Sequence, residues 1–251
     1  MTHVAPATTA HTWRPPAPVA PRGTLVVLPG RGEHSLVYER FGRRISADGY
    51  VVHALDTTPD HDDADLLAAV TGVLGAAPAA PVVLVGSDTG ALQALNIAAR
   101  TGVDVPLAGL VLAGTALKTE GDALDWESEL TARTSCPTHR QKLSEDKEFG
   151  RGRLTDPVPV HLLPAGPLPS VPALVLHGAA DPLTPLGEAR ALARRLPHVD
   201  FAVVRDGVHD VLNDASHRTT AAAVVQWLER LRADDGLRPI LTVEPLDQPR
   251  P

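Results

Sequence analysis

Residues 82–90 read Val-Val-Leu-Val-Gly-Ser-Asp-Thr-Gly, and the ten that follow run Ala-Leu-Gln-Ala-Leu-Asn-Ile-Ala-Ala-Arg. An unbroken apolar run with no polar alternation describes a strand covered on both faces. The stretch 91–100 is rich in strong helix formers. Strand and helix are separated by so few residues that the chain must reverse sharply at the Gly-x-Asp-x-Gly step. A covered strand feeding directly into a helix requires a mostly parallel sheet with helices packed on it.

The rest of the chain repeats that alternation. Apolar runs at 24–28, 50–55, 110–112, 173–176 and 201–204 are expected to be further strands. Helical spacing occupies 36–48, 65–74, 186–196 and 217–231. The predicted architecture is α/β, a mostly parallel central sheet with helices on both faces. Residues 1–22, punctuated by Pro-Pro and Ala-Pro steps, are expected to be a flexible arm, and residues 235–251 a flexible tail, leaving 23–234 as the domain. One stretch breaks the rhythm. Residues 117–170 are polar, charged and proline-rich, and contain no apolar strand. A structureless loop that long is unusual in a compact domain. This stretch is expected to be a small cap with helices at 126–132 and 137–145, roofing the carboxyl ends of the strands where open parallel sheets bind ligands.

Composition narrows the partners. The chain of 251 residues carries a net charge of −7 and no long basic run, which argues against nucleic-acid and anionic-membrane partners. One cysteine, Cys136, leaves no intrachain disulfide. The first residues contain no continuous apolar signal segment, so a cytoplasmic protein is the expectation. No metal-ligand spacing and no dinucleotide fingerprint occur, so no cofactor is expected. The expected partner is a small-molecule substrate, and a homodimer is possible.

The strand–turn–helix context of 82–100 is that of a nucleophile elbow, normally Gly-x-Ser-x-Gly. Centring it on Asp88 puts Gly86 and Gly90 at the two positions where bulk clashes across the turn. Centring it on Ser87 puts β-branched Val85 and Thr89 there instead, a poor steric fit. Asp88 as a plain helix cap is the alternative. Two later segments reduce it. Asp181 lies in the loop after the run at 173–176. His209 lies in the loop after 201–204, so nucleophile, acid and histidine follow the expected chain order. Leu28-Pro29-Gly30-Arg31-Gly32 supplies a glycine-rich loop. Backbone N–H groups near Gly30 and Arg31, with that of Thr89, are candidate oxyanion donors. In the cap, Trp126 and His139 are candidate substrate contacts. Arg140 and Lys142 beside them read more simply as a solvated helix face.

The stretches PGRGEHSLVYERFGRRISADGY, VLVGSDTGALQAL, ALVLHGAADPLTP and GVHDVLND resemble the monoglyceride-lipase/lysophospholipase branch of the α/β-hydrolase superfamily. The resemblance spans about residues 23–232 apart from the cap. It implies an α/β-hydrolase fold with Asp88, His209 and Asp181 as the catalytic residues. Two positions depart from the branch: Asp88 replaces the elbow serine, and Pro29-Gly30 replaces His-Gly. An elbow aspartate resembles haloalkane and haloacetate dehalogenases and epoxide hydrolases, and implies attack on carbon through an alkyl-enzyme ester. Dehalogenases place a tryptophan after the nucleophile, where this chain has Thr89. Epoxide hydrolases use cap tyrosines, whereas Tyr38 and Tyr50 lie outside the cap.

Three functions remain open on these residues. The first is hydrolysis of an epoxide, halide or activated lactone through Asp88. The second is a cyclase, lyase or isomerase of natural-product biosynthesis in which Asp88 and His209 only transfer protons. The third is a non-catalytic small-molecule-binding protein on the same scaffold.

Overall fold

The structure is a computed structural model that describes residues 10–101, 105–118, 122–164, 166–234 and 236–243. Seven strands form one sheet: β1 (Ala10–Trp13), β2 (Thr24–Leu28), β3 (Val51–Leu55), β4 (Val82–Ser87), β5 (Leu107–Ala113), β6 (Ala173–Gly178) and β7 (Val199–Val204). Their spatial order is β1-β3-β2-β4-β5-β6-β7, with β1 antiparallel to β3 and every other pair parallel.

Period-two side-chain direction explains why these runs need apolar residues at every position. Leu25, Val27, Val83 and Val85 face one core, together with Ile45, Val224 and Trp227. Val26, Leu28, Val82 and Leu84 face a second core, together with Leu66, Leu92 and Leu95. The first layer holds α1 (Glu39–Ala47) and the last helix (His217–Ala233). The second holds α2 (Asp63–Leu74), α3 (Thr89–Thr101) and the helix Leu186–Ala193. Between β5 and β6 lie α4 (Trp126–Arg133), α5 (Pro137–Glu145) and a short 3-10 turn at Val160–Leu162. Continuing in chain order, Leu186–Ala193 is α6 and His217–Ala233 is α7.

The amino-terminal segment departs from the expected flexible arm. Residues 10–13 pair with β3, and Trp13 is buried against Gly42, where a Cβ would lie 2.2 Å from the indole. Arg22 forms an ion pair with Glu229. No proline falls between Pro6 and Pro15, so Ala-His-Thr-Trp at 10–13 keeps its N–H donors for the ladder. Of the expected tail, Leu237 packs against the first core, whereas Ile240, Leu241 and Val243 are exposed. The remaining arm and tail residues, 1–9, 235 and 244–251, lie outside the described residues, as do 119–121 and 165 of the cap stretch. Among the described residues no helix is long and apolar enough to cross a membrane, and no cluster of three or more His, Cys, Asp or Glu is arranged to hold a metal.

The parallel strands β2, β4, β5, β6 and β7 all point their carboxyl ends the same way. The loops at 29–33, 114–118, 179–184 and 205–209 and the turn at Asp88 therefore meet at one edge, beneath α4.

Candidate active site

Asp88 occupies the turn between β4 and α3 with φ +53°, in the left-handed region. Aspartate tolerates that region better than most residues, though at some strain. The backbone is pinned there: Asp88 N–H donates to the Ala113 carbonyl at 3.0 Å, and the Asp88 carbonyl accepts from Ala91 and Ala116 at 3.3 Å each. Ser87 is the last residue of β4 and precedes the apex. A Cβ on Gly86 would sit 2.3 Å from the Gly90 carbonyl oxygen, and one on Gly90 would sit 2.1 Å from that of Leu28. Both obstacles are backbone and cannot rotate away. Gly90→Ala is therefore expected to destabilise the fold by about 1–3 kcal/mol or more, read as a lower denaturant midpoint. An unchanged midpoint would show that the turn is looser than described.

The three residues expected from chain order meet. His209 Nδ1 lies 2.9 Å from Asp181 Oδ2, and His209 Nε2 lies 3.2 Å from Asp88 Oδ1. Asp181 is itself held by the backbone N–H groups of Leu183 at 2.8 Å and Thr184 at 3.2 Å, both on Oδ1. Burial by itself would lower the His209 imidazole, but Asp181 and then Asp88 outweigh it and raise the group to about 10. Burial would likewise raise the Asp181 carboxyl, and the facing His209 brings it below its ordinary value. At neutral pH His209 is thus an imidazolium between two carboxylates.

The side chain of Arg31 is the feature that sequence reasoning missed. Only its backbone N–H was expected to act. That N–H does donate to Asp88 Oδ2 at 2.8 Å, but the guanidinium also pairs with the same carboxylate, Nε to Oδ2 at 2.8 Å and Nη2 to Oδ1 at 2.7 Å. With His209, each Asp88 oxygen has two partners. Desolvation would raise the Asp88 carboxyl, yet the Arg31 charge and the donors around it hold it well below the usual carboxylate range. A signal for this was present: an arginine in a glycine-rich loop beside an elbow that carries a carboxylate.

Two of the three expected oxyanion donors are committed elsewhere. The Arg31 N–H is taken by Asp88 itself. The Gly30 N–H donates to Glu33 Oε2 at 2.9 Å and to Tyr38 Oη at 3.3 Å, so it turns away from the site. Gly30 is needed for closeness instead, since a Cβ there would lie 2.7 Å from the Asp88 Cβ. Thr89 is fully buried after the apex, and its hydroxyl has no hydrogen-bond partner.

A second buried network fixes this loop to the cap. Arg133, 1% exposed on α4, donates through Nη2 to the Arg31 carbonyl at 2.7 Å and to Glu129 Oε1 at 2.9 Å, and through Nη1 to Glu33 Oε1 at 3.2 Å. Glu33 in turn accepts from Tyr38. Burial, then the Asp210 charge, raises the Glu33 carboxyl despite Arg133.

Between cap and strand ends lies a cavity of about 740 Å³. Ala116, Leu117, Leu124, Ala132, Leu154 and Val208 give it apolar walls. Thr131, Thr155 and Thr184 add hydroxyls, and Lys118, Asp122, Glu127 and Asp156 add charge. Arg31 lines it, whereas Asp88, His209 and Asp181 do not. The two cap residues expected to contact substrate do not line it. Trp126 packs on Phe149 with ring centroids 5.8 Å apart and under the Arg151 guanidinium. His139 is buried, with Nε2 3.1 Å from Asp210 Oδ2. Arg140 pairs with Glu127, and Lys142 reaches the Leu36 carbonyl and Glu39.

Comparison with known proteins bears on the fold. The family described as TAP-like protein matches residues 155–237, well under half of the chain. Among solved structures, the monoacylglycerol lipase of Paleococcus ferrophilus superposes with a TM-score of 0.71 at 19% identity, covering 89% of this chain and 99% of that one. A soluble variant of monoglyceride lipase from Saccharomyces cerevisiae gives 0.70 at 15%, covering 88% and 91%. A carboxyl esterase from Bacillus coagulans gives 0.67 at 18%, covering 90% and 94%. The fold is the α/β-hydrolase fold.

Proposed function

We propose that this α/β-hydrolase fold carries a cofactor-independent hydrolase of a small organic electrophile, an epoxide, halide or activated lactone, with Asp88 as nucleophile and His209, oriented by Asp181, as the group that handles protons. The observation that carries this reading is a carboxylate at the apex of a strained elbow, 3.2 Å from a histidine backed by a second carboxylate. The lipase and esterase neighbours support hydrolysis in general. Asp88 argues for a different bond. A carboxylate needs no base to attack carbon at neutral pH. Its attack on an ordinary ester would instead give an anhydride, and the Arg31 N–H that would receive an acyl oxyanion already holds Asp88 Oδ2.

The charges make a two-step cycle consistent. In the resting site two carboxylates keep His209 protonated. When Asp88 becomes an ester its charge is gone, and His209 is left with Asp181 against the cost of burial. Its basicity falls, and its proton passes to a ring-opened alkoxide or, when halide departs, to solvent. Neutral His209 can then draw a proton from water attacking the Asp88 ester carbonyl. That step restores the carboxylate and the imidazolium and releases the alcohol.

One observation favours a second reading, proton transfer without a covalent bond: both Asp88 oxygens already accept two hydrogen bonds. Trapping separates the two. His209→Gln, incubated with a panel of alkyl halides, epoxides and lactones, is expected to accumulate an adduct, seen by intact mass and mapped to the Asp88 peptide. An electrophile that wild type consumes and that leaves Asp88 unmodified in this variant speaks for proton transfer.

A further inference from the structure

Arg31 stands where the cavity meets the elbow, with 6% of its surface exposed. A guanidinium has five N–H donors. Nε and Nη2 each use one on Asp88, and Nη1 uses one on the Asp156 carbonyl at 2.6 Å. Among the described residues the other two have no acceptor. The Arg31 backbone cannot follow a departing partner. Arg133 holds its carbonyl, and Gly150 N–H holds that of the adjacent Gly32 at 2.8 Å.

The proposed reaction leaves this guanidinium with a charge problem. Asp88 Oδ forms a bond to carbon as the bond to the leaving group X breaks, and the electron pair departs on X. The negative charge that balanced Arg31 has then left Asp88, and Arg31 remains a buried cation for the lifetime of the ester. A buried charge that loses its partner is strongly disfavoured. The Asp156 charge acts on Arg31 from the cavity wall, but among the described residues no acidic side chain of the wall hydrogen-bonds the guanidinium in place of Asp88. Glu127 pairs with Arg140, Asp156 pairs through Oδ2 with Arg153 at 2.9 Å, and Asp122 shares the wall with Lys118. A halide leaving group diffuses away before the water step. A carboxylate attached to the substrate stays.

We infer that Arg31 is the binding residue for an anionic group of the substrate, and that the electrophile taken by this site carries a carboxylate. This rests on the reading of Asp88 as nucleophile and extends it to a substrate class. In the resting site Arg31, His209, Asp88 and Asp181 balance, so a further carboxylate binds weakly. Once Asp88 is neutral, Arg31 has lost the carboxylate it pairs with directly, and the substrate carboxylate takes that place and binds tightly. The anion is therefore held most strongly after attack begins, which is where binding accelerates a reaction.

Asp88→Asn tests this without turnover, because asparagine keeps the volume of aspartate, removes its charge and mimics the ester. Propionate and its neutral isostere propionamide are the probes, titrated by calorimetry at fixed ionic strength. Asp88→Asn is expected to bind propionate about tenfold or more tightly than wild type, with propionamide unchanged, as one charge-assisted bidentate contact would give. Adding Arg31→Gln should erase the gain. No gain, or a gain that survives Arg31→Gln, overturns the proposal; if Asp88→Asn does not fold, Asp88→Ser replaces it with the same readouts. Failure of the nucleophile is separately visible. Propionate gain without any electrophile ever modifying Asp88 sinks the covalent reading but not the anion site. Asp88 ester formation as fast from 2-chloropropionamide as from 2-chloropropionate does the reverse.

Discussion

Asp88→Asn is expected to abolish turnover and to lower stability in the same protein. The loss of rate should be on the order of 10⁴-fold or more, as for removal of the reacting member of a catalytic unit. The stability effect has a separate origin. Asp88 is 1% exposed and pairs with both Arg31 and His209. Taking away one partner of a buried ion pair leaves an uncompensated charge and costs about 3–5 kcal/mol. For a domain of this size that corresponds to a fall in Tm of roughly 6–20 °C. Breaking the exposed Arg140–Glu127 pair is the control and should cost no more than about 1 kcal/mol. Thermal unfolding checks both. An Asp88→Asn protein as stable as wild type would mean that Arg31 finds another partner at once.

The second large effect is on pH dependence. His209 holds its proton to about pH 10 in the folded protein, whereas an unfolded imidazole titrates near 6.5. A raised folded value means stability that is fully present below about pH 6.5 and lost as pH climbs toward 10. The loss should amount to roughly 3–5 kcal/mol over that window. Asp88 and Asp181 act with the opposite sign. Their depressed folded values contribute stability above the ordinary carboxylate range, and that stability disappears as pH falls below it. The cluster is therefore expected to be most stabilising between about pH 4 and 6.5. His209→Gln should flatten the alkaline limb and leave acid unfolding in place. Nitrogen NMR of the ring reads the same group directly: both nitrogens should remain protonated at pH 8 in wild type. In Asp88→Asn, with one carboxylate gone, deprotonation should begin at lower pH. A neutral ring at pH 7 in wild type would contradict the charge arrangement.

Much of the frame was legible because it is written in short-range pattern. The run Val82–Ser87 against glycines at 86 and 90 identifies the elbow from local sterics alone, and the apex does fall on Asp88 rather than Ser87. Asp181 and His209 could be placed because each follows a strand whose apolar run is visible. The rest depends on contacts that no local pattern encodes. Arg31 meets Asp88 across 57 positions, and Arg133 meets Glu33 across 100. Polar residues on the cap helices show little periodicity, so nothing in the sequence tells which side of α4 or α5 looks inward. Trp126 and His139 were accordingly expected at the cavity, and Thr131 and Ala132 line it instead. The edge strand Ala10–Trp13 was hidden by the prolines just after it.

The site that results differs from a serine-type elbow in one decisive way. A carboxylate replaces the hydroxyl, and the loop that would receive an acyl oxyanion carries an arginine that neutralises it. In the proposed cycle, the pair ties reaction at Asp88 to the arrival of another anion. Arg133 and Glu33 act here as positioning residues, since Arg133 holds the Arg31 carbonyl, Glu33 holds the Gly30 N–H, and neither has a hydrogen bond to Asp88.

The most direct measurement is repeated turnover of an accepted electrophile in ¹⁸O-water, followed by digestion and mass analysis of the peptide containing Asp88. A covalent cycle places solvent oxygen in the Asp88 carboxylate, because water attacks the ester carbonyl, and passes label to product in later turnovers. The account predicts a labelled Asp88. Labelled product with unlabelled Asp88, or a product that incorporates no solvent oxygen, would contradict it.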